Sequence, residues 1–118
     1  MMSQVIYKIV SRPMWEDAKN EGLWSGAPID RQDGYIHFST ADQAQETATK
    51  HFAGQNDLLL VAFSVADLGD KLVFEPSRGG ALFPHLYSKL DTNLALWARA
   101  IASDEAGIPQ IGSLDDAL

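Results

Sequence analysis

The sequence predicts an α+β fold, and three observations carry that prediction. Two short runs, QVIYKIV (Gln4 to Val10) and LLLVAFSV (Leu58 to Val65), are rich in β-branched and large apolar residues and free of Gly and Pro, the pattern of buried strands. GYIHFST (Gly34 to Thr40) alternates apolar and polar side chains, as a half-buried strand does. Two further stretches carry helix start and stop signals instead.

In chain order, QVIYKIV is the first strand. Ser11 and Pro13 then read as a helix start, WEDAKNEG as an amphipathic turn or two, and Gly22 as the stop. The stretch LWSGAPIDRQDG, from Leu23 to Gly34, is dense in turn formers and reads as a surface loop. Its Asp33-Gly34 end launches GYIHFST, where Ile36 and Phe38 face one side and Tyr35, His37 and Ser39 the other. Ser39 or Thr40 caps a second helix reaching about Phe52. Gln43 lies three residues after Thr40, the spacing of a capping box, and Ala41, Ala44, Ala48 and Phe52 form a stripe at helical spacing. LLLVAFSV is the strongest strand of the chain. Asp67 to Asp70 turns, and KLVFE (Lys71 to Glu75) returns as a strand. LALWARAI, from Leu94 to Ile101, suits a helix by propensity and a strand by the alternation of Leu94, Leu96, Ala98 and Ala100. The strand reading is preferred, because a helix there would be short with bulky residues on every side. About five strands and two main helices result.

The chain of 118 residues is expected to form one domain, large enough to bury a core without disulfides or metal. It has no cysteine, which removes disulfide staples, thiolate zinc sites and cysteine nucleophiles together. Nine basic residues against sixteen acidic ones give a net charge of −7. That balance argues against broad, charge-driven nucleic-acid binding but leaves room for a small nucleotide held by one or two local cations. No basic residue follows Arg99, and residues 102–118 read as a loosely packed acidic tail. The start, MMSQVIYKIV, has the form of no signal peptide, and no run approaches the roughly 20 apolar residues of a membrane span.

The candidates for chemistry are few. His37 lies on the polar side of GYIHFST, and His85 lies in FPHLY. His51 sits near a helix C-terminus, where a histidine favours the dipole and the last carbonyls. No HxH or HxxxH spacing places two ligands on one element, so no metal is expected. FEPSRGGALFPHLY, from Phe74 to Tyr87, gathers Glu75, Arg78, His85 and Tyr87. Here Pro76 forces the chain out of the sheet, Arg78 with Gly79-Gly80 makes a flexible loop, and FPHLY is an aromatic-rich return. Tyr7-Lys8 on the first strand, and Trp15 and Trp24, are weaker signals, the tryptophans suiting core or rim packing. Dinucleotide, NTPase, serine-hydrolase and zinc-peptidase motifs are missing.

IYKI, DGYIHFST, FE and FPHLY, in that order, closely resemble the small proteins grouped as domain of unknown function 952, from about Val5 to Ala100. That family is similar in fold to ADP-ribosyltransferases and RNA 2′-phosphotransferases. The resemblance implies two facing, mostly antiparallel sheets around a nucleotide- or NAD-type cleft, in a bacterial, cytoplasmic protein. It also makes LALWARAI a strand. By motif, Ser39-Thr40 resembles the Ser-Thr pair that braces the cleft of those enzymes, without their third serine. Tyr7-Lys8 stands where they place the His or Arg that grips the ribose, and Glu75 is the candidate carboxylate, in a different local pattern from theirs. A carboxylate there would stabilise an oxocarbenium-like sugar or fix a ribose hydroxyl.

The resulting expectation is a small-molecule cleft with NAD as a candidate substrate and no metal. His37, Glu75 and His85 carry the chemistry, while Ser39, Thr40, Tyr7, Lys8, Tyr87 and Arg78 hold the ligand, Arg78 at a phosphate. Two alternatives stand beside it. One is a binding module for a small anionic metabolite; the other is an acid–base enzyme of another class working through His37 and His85. No membrane partner is expected.

Overall fold

In a computed structural model describing residues 4–114, the first apolar run forms strand β1, Val5–Ser11, with Ile6, Tyr7 and Val10 buried. The Ser11 hydroxyl accepts the Met14 N–H at 3.3 Å and, with Pro13 in the first turn, opens helix α1, Arg12–Glu21. Gly22, at φ +85°, closes it by returning its N–H to the Ala18 carbonyl. The segment read as a surface loop is more regular than that. It holds strand β2, Leu23–Trp24, and helix α2, Pro28–Asp33, which starts at its proline and ends at left-handed Gly34. Its physical start signal is Asp30, whose carboxylate accepts the Ala27 N–H at 2.8 Å.

Strand β3, Ile36–His37, is shorter than GYIHFST, but the predicted alternation holds: Ile36 and Phe38 enter the core. Helix α3, Ala44–His51, starts later than Thr40. The Thr40 N–H is met by the Gln43 Oε1 at 3.0 Å, while residues 41–43 form turns. Neither Ser39 nor Thr40 is the helix cap. Of the alanine stripe, Ala44 and Ala48 are fully buried and Ala41 is exposed. Strand β4, Leu58–Ser64, is buried along nearly its whole length. A single turn, α4, Val65–Leu68, leads to β5, Leu72–Pro76.

The return through FPHLY is a strand, and Pro76 does not force the chain out of the sheet. FPHLY lies in and after strand β6, Leu82–Leu86, which pairs with β5 so that Pro76 stands opposite Leu82 and Glu75 opposite Phe83. Residues Arg78–Gly80 form one tight turn, with the Ser77 N–H on the Ala81 carbonyl at 2.9 Å. Strand β7, Leu90–Asp91, pairs with β2, and LALWARAI becomes a strand from Trp97 onward as β8, Trp97–Ser103. Strand β9, Pro109–Gln110, then pairs with β8, so that part of the segment read as a tail lies in a sheet. The Gln45 side chain ties it down by accepting the Ile111 N–H and donating to the Pro109 carbonyl.

The result is α+β. One antiparallel sheet has the order β1-β4-β8-β9, a second has β3-β6-β5, and β2-β7 form a small third. Both faces of β1 and β4 are covered, which explains their continuous apolar runs. Ile6, Val10, Leu59, Val61 and Phe63 meet Trp15, Trp24, Ile36 and Phe38 on one side; Tyr7, Leu58, Leu60 and Ala62 meet Ala48 on the other. The two larger sheets touch at Tyr7 and Ser39, which exchange backbone hydrogen bonds of 2.8 Å each way. Among the described residues, no helix is long and apolar enough to cross a membrane.

Candidate active-site cleft

Beyond the Tyr7–Ser39 bridge the two sheets part, and a cavity of about 640 Å³ opens between β1, α2, β3 and α3. That volume is in the range of small-molecule sites. Tyr7 exchanges both its backbone hydrogen bonds with Ser39, so the antiparallel alternation turns the N–H and C=O of Ile9 the same way. Ile9 lines the cavity. The free side of an edge strand thus forms part of its wall.

His37 and His85 are directly opposed across β3 and β6, with rings 5.5 Å apart, and both line the cavity. Their orientation comes from carboxylates. His37 Nδ1 is 2.6 Å from Asp30 Oδ1 and its Nε2 is 3.0 Å from Asp33 Oδ2. His85 Nδ1 is 2.8 Å from Glu75 Oε1, which also accepts the Tyr87 hydroxyl at 2.6 Å. Tyr35 packs among these rings, stacked on His85 with centroids 4.1 Å apart and 4.7 Å from His37. Strand parity explains the gathering: Glu75, Phe83, His85, Tyr87 and His37 alternate with the core-facing Phe74, Leu86 and Ile36.

Asp30 is the hub. Its side chain is wholly buried and accepts from Lys8 Nζ at 2.8 and 3.1 Å, from the Ala27 and His37 backbone N–H groups, and from the His37 ring. Burial pushes this carboxyl upward. The His37 hydrogen bond, the Lys8 charge and the Ala27 N–H outweigh it and hold Asp30 at about 2, below its ordinary 3.8. Lys8 also donates to the His37 carbonyl at 2.9 Å, and its burial lowers its pKa against the pull of Asp30. Gly26 makes room for this arrangement: at φ +100°, a Cβ there would meet the Asp30 Cβ at 2.6 Å.

Glu75 is held below its ordinary range by the hydrogen bonds from Tyr87 and His85. The same contact pushes the Tyr87 phenol up to about 12. Desolvation, with the Asp33 and Glu75 charges, raises Tyr35.

The sequence candidates therefore divide. His37, Glu75, His85 and Tyr87 form one contact network, and Tyr7, Lys8, Ser39, His37 and His85 line one cavity. Ser39 reaches the Thr47 hydroxyl at 2.8 Å, while Thr40 contributes its backbone to the turn before α3. The side chain of Arg78 lies outside the described residues. His51 also lines the cavity. Asp30, Asp33 and Tyr35 belong to the site without having been singled out. Asp33 and Tyr35 flank the Gly34 turn and could have been found as its neighbours, whereas only the tertiary contact with Lys8 marks Asp30. Among the described residues, no group of three or more His, Asp or Glu has an arrangement that could hold a metal ion.

Residues 9–98 match the family described as protein of unknown function (DUF952), and the chain belongs to that family. It is similar to protein CC0527 from Caulobacter crescentus. Against the crystal structure of that protein the identity is 45%, with 96% of each chain covered and a TM-score of 0.88. Its solution NMR structure gives 46% identity over 97% of this chain and 96% of that one, with a TM-score of 0.81. No curated protein matches.

Proposed function

We propose that this cleft binds and transforms a small ligand of the nucleotide or NAD type, on an ADP-ribosyltransferase-like arrangement of two sheets. One observation carries the reading: two cross-strand histidines, each with Nδ1 held by a carboxylate, face one ligand-sized cavity beside a stacked tyrosine. Carboxylates that fix imidazoles in this way set ring orientation, as hydrogen-bonding or proton-transfer groups require. His85 is held through Nδ1, whereas His37 is held through both nitrogens, so a ligand reaching its Nε2 takes the place of Asp33. Ser39 and Lys8 belong to the wall between the sheets, in keeping with the roles expected of them as cleft residues. Glu75 acts on the site through His85 in the ligand-free state.

That engagement of Glu75 also favours a second reading, a binding module without turnover. Glu75 is not among the residues lining the cavity, and its Oε1 is engaged by the Tyr87 hydroxyl and the His85 ring. Titration of the His37 and His85 ring signals by NMR with NAD, ADP-ribose and nucleosides, followed by a nicotinamide-release assay, separates the two. Turnover abolished in His37→Ala and reduced in Glu75→Gln supports the enzyme. Binding without turnover, unchanged in Glu75→Gln, supports the module. A folded protein whose histidine signals move with none of these ligands refutes both.

A further inference from the structure

The charges around the cavity restrict what can enter it. Among the described residues lining it, Lys8 is the lysine or arginine, and both Asp30 oxygens already lie within 3.1 Å of its ammonium. Asp33 lines the same space, and Glu75 stands 2.8 Å from the His85 ring. Of the groups that line the cavity, Lys8, Asp30 and Asp33 sum to one negative charge when His37, His51 and His85 are neutral, and Glu75 adds a second negative charge behind the His85 ring. A phosphate at the histidines would meet carboxylates and find its one neighbouring ammonium already paired. A neutral or cationic group meets no such repulsion.

Shape points the same way. Tyr35 forms an aromatic wall beside the two histidines, and the Ile9 N–H and C=O turn toward the cavity from its other side. Together they suit a flat ring with a donor and an acceptor side by side on its edge. Resting on the cleft reading above but narrowing its ligand from nucleotide to nucleoside, we infer that the histidine end of the cavity takes an uncharged or cationic nucleoside, base and sugar without phosphate, and discriminates against phosphorylated forms.

Isothermal titration with three pairs tests this: adenosine and AMP, inosine and IMP, and nicotinamide riboside and its 5′-monophosphate. In each pair that binds, the nucleoside is expected to bind roughly tenfold or more tightly than its monophosphate at low ionic strength, with the gap narrowing as salt screens the carboxylates. Asp33→Asn is half-exposed and leaves Asp30 in place, so an unchanged melting temperature is the control for folding. It should narrow the gap several-fold by removing one repelling charge. Monophosphates that bind as tightly as their nucleosides overturn the inference and leave the nucleotide-type cleft standing. A gap unaffected by both Asp33→Asn and salt overturns its electrostatic basis. If no member of any pair binds the folded protein, the cleft reading itself falls, and this inference with it.

Discussion

The two histidines face each other across a strand pair, yet they are anchored in opposite ways. His37 is fixed by a carboxylate that is itself sealed in the protein, held by a buried lysine and by main-chain N–H groups. His85 is fixed by a carboxylate at the surface, whose other donor is an exposed tyrosine. The first contact is the same, a ring Nδ1 on a carboxylate oxygen. What differs is what happens when it is broken. Around Asp30 the buried Lys8 ammonium loses its counterpart; around Glu75 water can reach the carboxylate and the exposed Tyr87, although the His85 ring is itself buried. One carboxylate is part of the frame, and the other stands at the surface.

Removing Asp30 breaks this contrast most severely. Asp30→Ala strands a buried ammonium and should lower unfolding stability by about 3–5 kcal/mol in a denaturant titration. Adding Lys8→Met should recover part of that loss. A double mutant no more stable than Asp30→Ala would show that the ion pair is not the cause. Next comes Gly26→Ala, which combines a positive φ with a Cβ placed against Asp30 and should cost about 2 kcal/mol.

Acid provides a third way to separate the anchors. Asp30 has a folded pKa of about 2 against an ordinary 3.8, so its contribution is fully present above 3.8 and is lost as pH falls through 2. The contribution is about 2 kcal/mol. Wild-type stability should fall across that window. An Asp30→Asn variant, if it folds, should lack this component.

The smallest effect on stability is expected on the other side. Glu75→Gln should leave the unfolding midpoint almost unchanged. The Tyr87 phenol, raised to about 12 chiefly by Glu75 and also by desolvation, should then titrate lower, toward its ordinary 10.0, in ultraviolet absorbance. A Tyr87 that still titrates near 12 in the variant would show that Glu75 is not what holds it.

Much of this was legible in the sequence, because it depends on local periodicity. The alternation of GYIHFST put Ile36 and Phe38 on one side and Tyr35, His37 and Ser39 on the other, and Ser11, Pro13 and Gly22 marked the ends of α1. The errors also have physical causes. APIDRQDG carries the start and stop of a helix, Pro28, Asp30 and Gly34, but packed so closely that they look like turn formers. Pro76 reads as the point where the chain leaves the sheet until the partner strand is known; here it stays within β5, opposite Leu82, and Pro84 sits within β6, opposite Phe74. Thr40 and Gln43 have the capping spacing, yet the turn they stabilise delays the helix to Ala44. Asp30 was invisible for a different reason. Its significance lies in Lys8, His37 and Gly26, and nothing local tells a buried aspartate from a solvated one.

The bridge between Tyr7 and Ser39 has a consequence for how the protein reaches this form. Tyr7 belongs to a strand whose partner, β4, comes only after α3, and Ser39 to a segment whose partner, β6, comes later still. The cavity therefore cannot be assembled from neighbouring residues as a hairpin is. Chain-closure entropy must be overcome for both sheets before the cavity is complete and His37 can face His85. The cavity thus depends on long-range pairing in both sheets, and a chain holding only its sequence-local turns and helices has no site to offer.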